Sequence, residues 1–221
     1  MLANYKEILE KTKSRVVALG EDIIKAYNMT LDACEKDDPA PATEARSLLK
    51  DAHNRNNKID NEILKTLALF SPEAKDLRVM IAYLKIASEL SRIADYIRSF
   101  AKKVKMQIIS ELDLSPLKSD MHSFLESTRA SLEAAVSAIE AETDEALENL
   151  YRKVNVEESK CDDIVSVLEK NIIQQICIDP EEAGEMVEFL KGMRKLERIS
   201  DRSVNIVKLA YFAKKGGKLK L

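Results

Sequence analysis

Apolar residues recur along this chain at steps of three and four. Leu49, Ala52, Ile59, Ile63 and Leu67 form one such series, and Met80, Leu84, Ala87, Ala94 and Ala101 another. This is the period of an amphipathic helix, and its persistence over many turns predicts long helices with one inward face. Pro following Ser or Asp interrupts the pattern in "KDDPAP" (36–41), "FSPEA" (70–74) and "ELDLSPLKSD" (111–120). Such dipeptides disfavour a continuing helix and suit a fresh start. A fourth break falls at "YRKVN" or at the preceding "EAETDEA". A fifth falls at "CIDPEEAGEM", where Asp179, Pro180, Glu181 and Glu182 make a good helix start. Six helices are expected, and short connections make sequential ones antiparallel neighbours.

The second part of the chain repeats the first. "SELSRIADYIRSFAK" (88–102) aligns without gaps on "RKLERISDRSVNIVK" (194–208), and "NNKIDNEI" (56–63) on "ESKCDDIV" (158–165), in the same order. The pattern therefore predicts an all-α fold of two tandem antiparallel three-helix bundles, residues 1–110 and 112–221, produced by internal duplication.

Within the repeat, carboxylates stand where apolar residues belong. Met186, Leu190, Met193, Glu197, Ser200, Val204, Val207 and Tyr211 step by four and three, which puts Glu197 in the inward seam with Asp201 at its edge. On the preceding helix Val154, Glu158, Cys161, Val165, Leu168 and Ile172 do the same, with Asp162 beside Glu158. An ionised carboxylate in an apolar seam costs several kcal/mol unless positive charge meets it. Two facing E-x-x-x-D pairs would make a hard-oxygen site for Fe, Mn, Mg, or Zn completed by water. Alternatively, Arg194, Arg198, Arg202 and Lys208 could draw Glu197 and Asp201 into a surface ion-pair ladder. In the first repeat the matching pairs are Asn56 with Asp60 and Ser91 with Asp95, so any metal site there is expected to be weaker, smaller or absent.

Composition and charge narrow the functional classes. With five Gly, five Pro and no Trp among 221 residues, turn signals are few. No apolar run approaches the roughly 20 residues that cross a bilayer, and the N-terminal stretch is charged from Lys6 onward, so neither anchor nor signal peptide is expected. A net charge of −3 with interspersed signs argues against a nucleic-acid groove. Only "KKGGKLKL" at the end clusters basic residues, and it reads as a solvated tail. Cys34, Cys161 and Cys177 are odd in number and widely spaced, which suits a reducing cytoplasm; Cys161 reads as a small buried apolar residue. A di-iron oxidase would use E-x-x-H on two helices. His53 and His122 follow Lys50 and Ser119 at that spacing, so both read as ordinary surface or loop residues.

With "SPEAKDLRVMIAYLKIASELSRIADYI" (71–97), Asp179-Pro180, "ERISDRSVNIV" (197–207) and Gly20 in view, the chain resembles the PhoU family of phosphate-transport regulators over nearly its full length. That resemblance implies a cytoplasmic, non-enzymatic regulator that contacts a phosphate-sensing histidine kinase and the ATPase of a phosphate ABC transporter, reaching the membrane only through partners. It also implies a homodimer and an iron or zinc ion or cluster held by E-x-x-x-D motifs. Carried over by position, the metal ligands would be Glu158, Asp162, Glu197 and Asp201, with Asp60 and Asp95 weaker. Arg78 also matches a family position and is expected to pair with Asp76 or Glu73 at a helix start. Two other readings stay open: an accessory protein of a low-affinity phosphate carrier, and a helical scaffold without metal.

Overall fold

The computed structural model describes residues 2–70, 72–108 and 112–217. Among these the chain forms α1 (Leu2–Lys36), α2 (Pro39–Leu48), α3 (Ala52–Phe70), α4 (Ala74–Gln107), α5 (Lys118–Ala138), α6 (Asp144–Ile178) and α7 (Ala183–Lys215), with no strand. The helix ends follow local chemistry. Asp37, at φ 50°, ends α1, and the Asp38 carboxylate accepts the Ala40 N–H at the start of α2 behind Pro39. Thr143 accepts the Ala146 N–H and puts Asp144 and Glu145 in the first turn of α6. Gly216, at φ 79°, ends α7.

One expectation about the helices is corrected, and one placement left open is decided. The second helix of the first half is two helices, α2 and α3, broken at residues 49–51 without Pro or Gly. Leu49 turns inward (φ −90°, ψ 5°) and is 1% exposed, while Ala52 N–H donates to its carbonyl. Because Leu49 and Ala52 are both buried at helical spacing, the apolar pattern runs unbroken across the turn. Between the two placements of the fourth break, "EAETDEA" holds it and α6 runs straight through "YRKVN".

Helices α1 to α4 pack on one another, as do α5 to α7, but the two sets also share long contacts. The boundary expected at 110/112 falls at residues 109–111, outside the described residues. α4 and α7 lie antiparallel along most of their length. Arg78 meets Ala213, Glu89 meets Arg202, Ser99 meets Lys195 and Lys103 meets Glu188, so the partners run backward along α7 as they run forward along α4. α1 likewise crosses α5: the Tyr27 hydroxyl donates to the Leu125 carbonyl at 3.0 Å, and a Cβ on Gly20 would stand 2.8 Å from Val136 Cγ1. Gly20 thus marks a tight approach between helices of different halves. The buried residues of both halves form one connected core.

The duplication supplies a geometric check. Tyr96 and Arg202 occupy matching positions of the aligned repeats, and they touch: the Arg202 guanidinium carbon lies 5.5 Å from the Tyr96 ring centre. Two residues that correspond under a repeat and also meet each other mark its local twofold axis. The halves therefore face one another across the middle of α4 and α7.

Candidate carboxylate site between α6 and α7

α7 is buried on two sides. Met186, Met193, Ser200, Val204 and Val207 are buried as the seam predicts, while Leu190 and Tyr211 are half-buried. Leu196, Ile199, Ser203, Ile206 and Leu209 are buried as well, because α7 also packs against α4. That second stripe was legible in the sequence as an apolar band too broad for a single seam. On α6, Cys161 is fully buried, contacted by the Ser200 hydroxyl at 3.1 Å and lying 3.5 Å from Thr128 Oγ1. Cys161 and its two hydroxyl neighbours form the floor beneath the acidic groups.

Above this floor Glu158, Asp162 and Asp201 each offer a carboxylate oxygen within 4.8 Å of the others. Glu158 is half-buried, and the two aspartates are exposed at the rim. The like charges strain one another. Burial raises the Glu158 carboxyl above its ordinary value, and the Asp162 and Asp201 charges raise it further, against the Ser159 hydroxyl and Lys208. Asp201 is raised first by burial, then by Glu197 and Asp162, against Arg202 and Arg198. Unit charges about 5 Å apart repel by roughly 3 kcal/mol at an effective dielectric constant near 20, and by under about 1 kcal/mol in bulk water. A cation would relieve that repulsion, and an all-oxygen donor set fits a hard ion.

Glu197 stands apart from this group. Both of its oxygens accept from Arg194 Nη1, at 3.1 and 3.0 Å, and its side chain is 18% exposed. Arg194 Nε in turn donates to Glu169 of α6 at 2.8 Å. Of the four strong candidates, the structure thus gathers three and holds the fourth in an ion pair one helical turn away. Spacing along α7 says nothing of Glu169 across the interface, so the seam alone does not reveal this pairing.

The matching niche of the first half differs. Asn56 is buried, and its Nδ2 reaches Asp60 Oδ2 at 3.4 Å; Asn56 Oδ1 and Asp60 Oδ1 are buried with no hydrogen-bond partner among the described residues. Burial raises the Asp60 carboxyl, with His53 opposing. Asp95 points outward, its side chain 71% exposed and 3.7 Å from Arg98. Among the described residues, the group of three acids on α6 and α7 has no counterpart here.

Other expectations meet mixed outcomes. His53 and His122 are exposed, on α3 and α5. Arg78 does not pair with Asp76 or Glu73; its Nε donates to the Ala213 carbonyl in the last turn of α7, at 3.4 Å. The basic cluster is not simply a solvated tail: Lys214 donates to the Ala141 and Glu142 carbonyls, and Lys215 pairs with Asp144. Lys218 and Lys220 lie outside the described residues. No helix among the described residues is long and apolar enough to cross a membrane.

Comparison with known proteins agrees with this geometry. The sequence model described as PhoU domain matches residues 16–104 and again 122–210. The chain is 22% identical over 218 residues to the Pseudomonas aeruginosa phosphate-specific transport system accessory protein PhoU homolog, covering 94% of this chain and 84% of that protein. It is 23% identical to PhoU homolog 2 of Thermotoga maritima, with 95% and 87% covered. The crystal structure of PhoU from Pseudomonas aeruginosa superposes with a TM-score of 0.86 at 21% identity over 96% of this chain and 100% of that one. The phosphate transport system regulatory protein PhoU from Streptococcus pneumoniae gives 0.83 at 21% identity, with 98% and 100% covered.

Proposed function

Because the chain belongs to the PhoU family, we propose that it regulates phosphate uptake and phosphate signalling from the cytoplasm, by contact with a phosphate-sensing histidine kinase and the ATPase of a phosphate ABC transporter. The observation that carries this reading is the family domain filling both halves of the chain, together with relatives named as accessory proteins of a phosphate-specific transport system. No catalytic step is assigned to the chain. Its working parts are broad helical faces. Leu64, Leu69, Leu77 and Ile81 are exposed on α3 and α4, and between α1 and α3 Ile8, Leu69 and Phe70 line an open groove of about 500 Å³ with Lys58 and Lys65. Apolar residues presented beside lysines suit a protein partner, or a second copy in a homodimer.

The Glu158, Asp162 and Asp201 group would hold the metal, with Glu197 the fourth candidate and Asp60 and Asp95 weak ones. Iron or zinc would each need water beside these carboxylates to complete its shell. When bound, the ion would neutralise the acidic patch and join α6 to α7. Asn56 and Ser91 in place of acids keep a second reading alive, an accessory protein of a low-affinity phosphate carrier with one metal-bearing half.

Deleting the gene in its own host should switch on a phosphate-starvation reporter in phosphate-rich medium, and the wild-type gene should silence it again. An unchanged reporter would remove the regulatory reading. Elemental analysis of protein purified without chelator or histidine tag should find metal in the wild type and little in a Glu158→Gln, Asp201→Asn variant. Equal, negligible content in both would favour the metal-free scaffold.

A further inference from the structure

Resting on the cation reading of the α6–α7 group, we propose that Arg194 is a latch that keeps Glu197 out of the site, so that binding by four carboxylates requires the Arg194–Glu197 pair to open. Glu197 lies one turn before Asp201 on the same side of α7. In this arrangement both Glu197 oxygens are occupied by Arg194 Nη1. The guanidinium is itself anchored, because its Nε and Nη2 both donate to Glu169 Oε1 on α6. A two-sided guanidinium clamp fixes direction as well as charge, which a lysine ammonium does not reproduce. Glu197 thus has two exclusive uses: partner to Arg194, or fourth ligand beside Glu158, Asp162 and Asp201. The first ties α6 and α7 together through Glu169; the second would tie them through the ion. Cation binding and the Glu169–Arg194–Glu197 bridge are therefore alternatives, and Arg194 tunes how readily the site fills.

The test is calorimetric titration of chelator-treated protein with manganese(II), an oxygen-preferring ion. Arg194→Gln should tighten binding by about two- to fivefold, the scale of one partly exposed ion pair released. Arg194→Lys, which keeps the charge and loses the fork, should gain a smaller factor. Glu197→Gln alone should stay within about twofold of wild type, and the double variant should return to the level of Glu197→Gln. If Arg194→Gln tightens binding equally with and without Glu197, the arginine acts only through its charge and the latch is wrong. A large loss in Glu197→Gln alone would also overturn it, since Glu197 would then already be a ligand. Wild-type binding that is lost in Glu158→Gln, Asp201→Asn and indifferent to Arg194→Gln would sink the latch and leave the site. No binding by any form would remove the site and the latch together. Arg194 is 45% exposed, so its replacement should not disturb folding, and a thermal melt checks this.

Discussion

The α3–α4 and α6–α7 niches occupy matching places in one duplicated unit, yet they solve opposite problems. In the first, Ile59 stands in the core beneath Asn56, and one half-buried aspartate sits beside an amide. In the second, Cys161 replaces that isoleucine, two hydroxyls close on it, and three carboxylates gather above. The first niche has an amide and a hydroxyl, Asn56 and Ser91, where the second has the acids Glu158 and Glu197; the second gathers charge that its own residues only partly offset. A duplicated scaffold can carry both because the helices are held from elsewhere, by the shared core and by the α4–α7 contact.

The comparison breaks most visibly in stability. Ile59→Ala should cost about 2–4 kcal/mol in denaturant unfolding, as a cavity in a closed core does, whereas Cys161→Ala removes one atom and should cost about 1 kcal/mol. Equal losses would mean that the two floors are packed alike.

Cation should separate the niches next. At about 100 times its dissociation constant, a bound ion should stabilise the wild type by about 2.7 kcal/mol, measured as a rise in Tm. Glu158→Gln with Asp201→Asn should abolish that rise, and Asn56→Ala should leave it intact. A rise lost in the Asn56 variant would move the site to the other half.

The junction comes third. Arg202 donates to Glu89 at 2.5 Å and lies against Tyr96 at the local twofold. Arg202→Ala should cost about 1–3 kcal/mol, because Glu89, only 18% exposed, is left without its partner. Adding Glu89→Gln should recover part of the loss. Full additivity of the two changes would show that the contact does not couple the halves.

The smallest effect is in pH dependence without cation. Glu158 and Asp201 are raised in the folded state, so that state retains their protons to higher pH than the unfolded chain does. Stability therefore falls as pH climbs from the ordinary carboxylate range through the raised values. Glu158→Gln should then stabilise the cation-free protein at pH 7 by a few tenths to about 1 kcal/mol, given its partial exposure. The gain should vanish near pH 3. Asp60→Asn should gain less, since burial raises it but no neighbouring acid adds to the shift, and Asp95→Asn should change stability by less than about 0.5 kcal/mol.

Much of this was legible in the residues. The period of three and four, the Pro-marked breaks and the gapless repeats were enough to specify an all-helical duplicated chain, because helix formation and its interruption are local. The same spacing singled out Glu158, Asp162 and Asp201, since residues four apart share a face whatever packs against them. What only the tertiary structure decided involves partners distant in sequence. The turn at Leu49 depends on where its side chain is buried, not on any breaker nearby. Arg78 reaches Ala213, Lys214 reaches Ala141, and Gly20 lies against Val136, all across elements that no local pattern connects. Glu197 shows the division most clearly. Its spacing placed it beside Asp201, but its charge is met by an arginine anchored on Glu169 of the neighbouring helix, and that pairing exists only once α6 and α7 lie side by side.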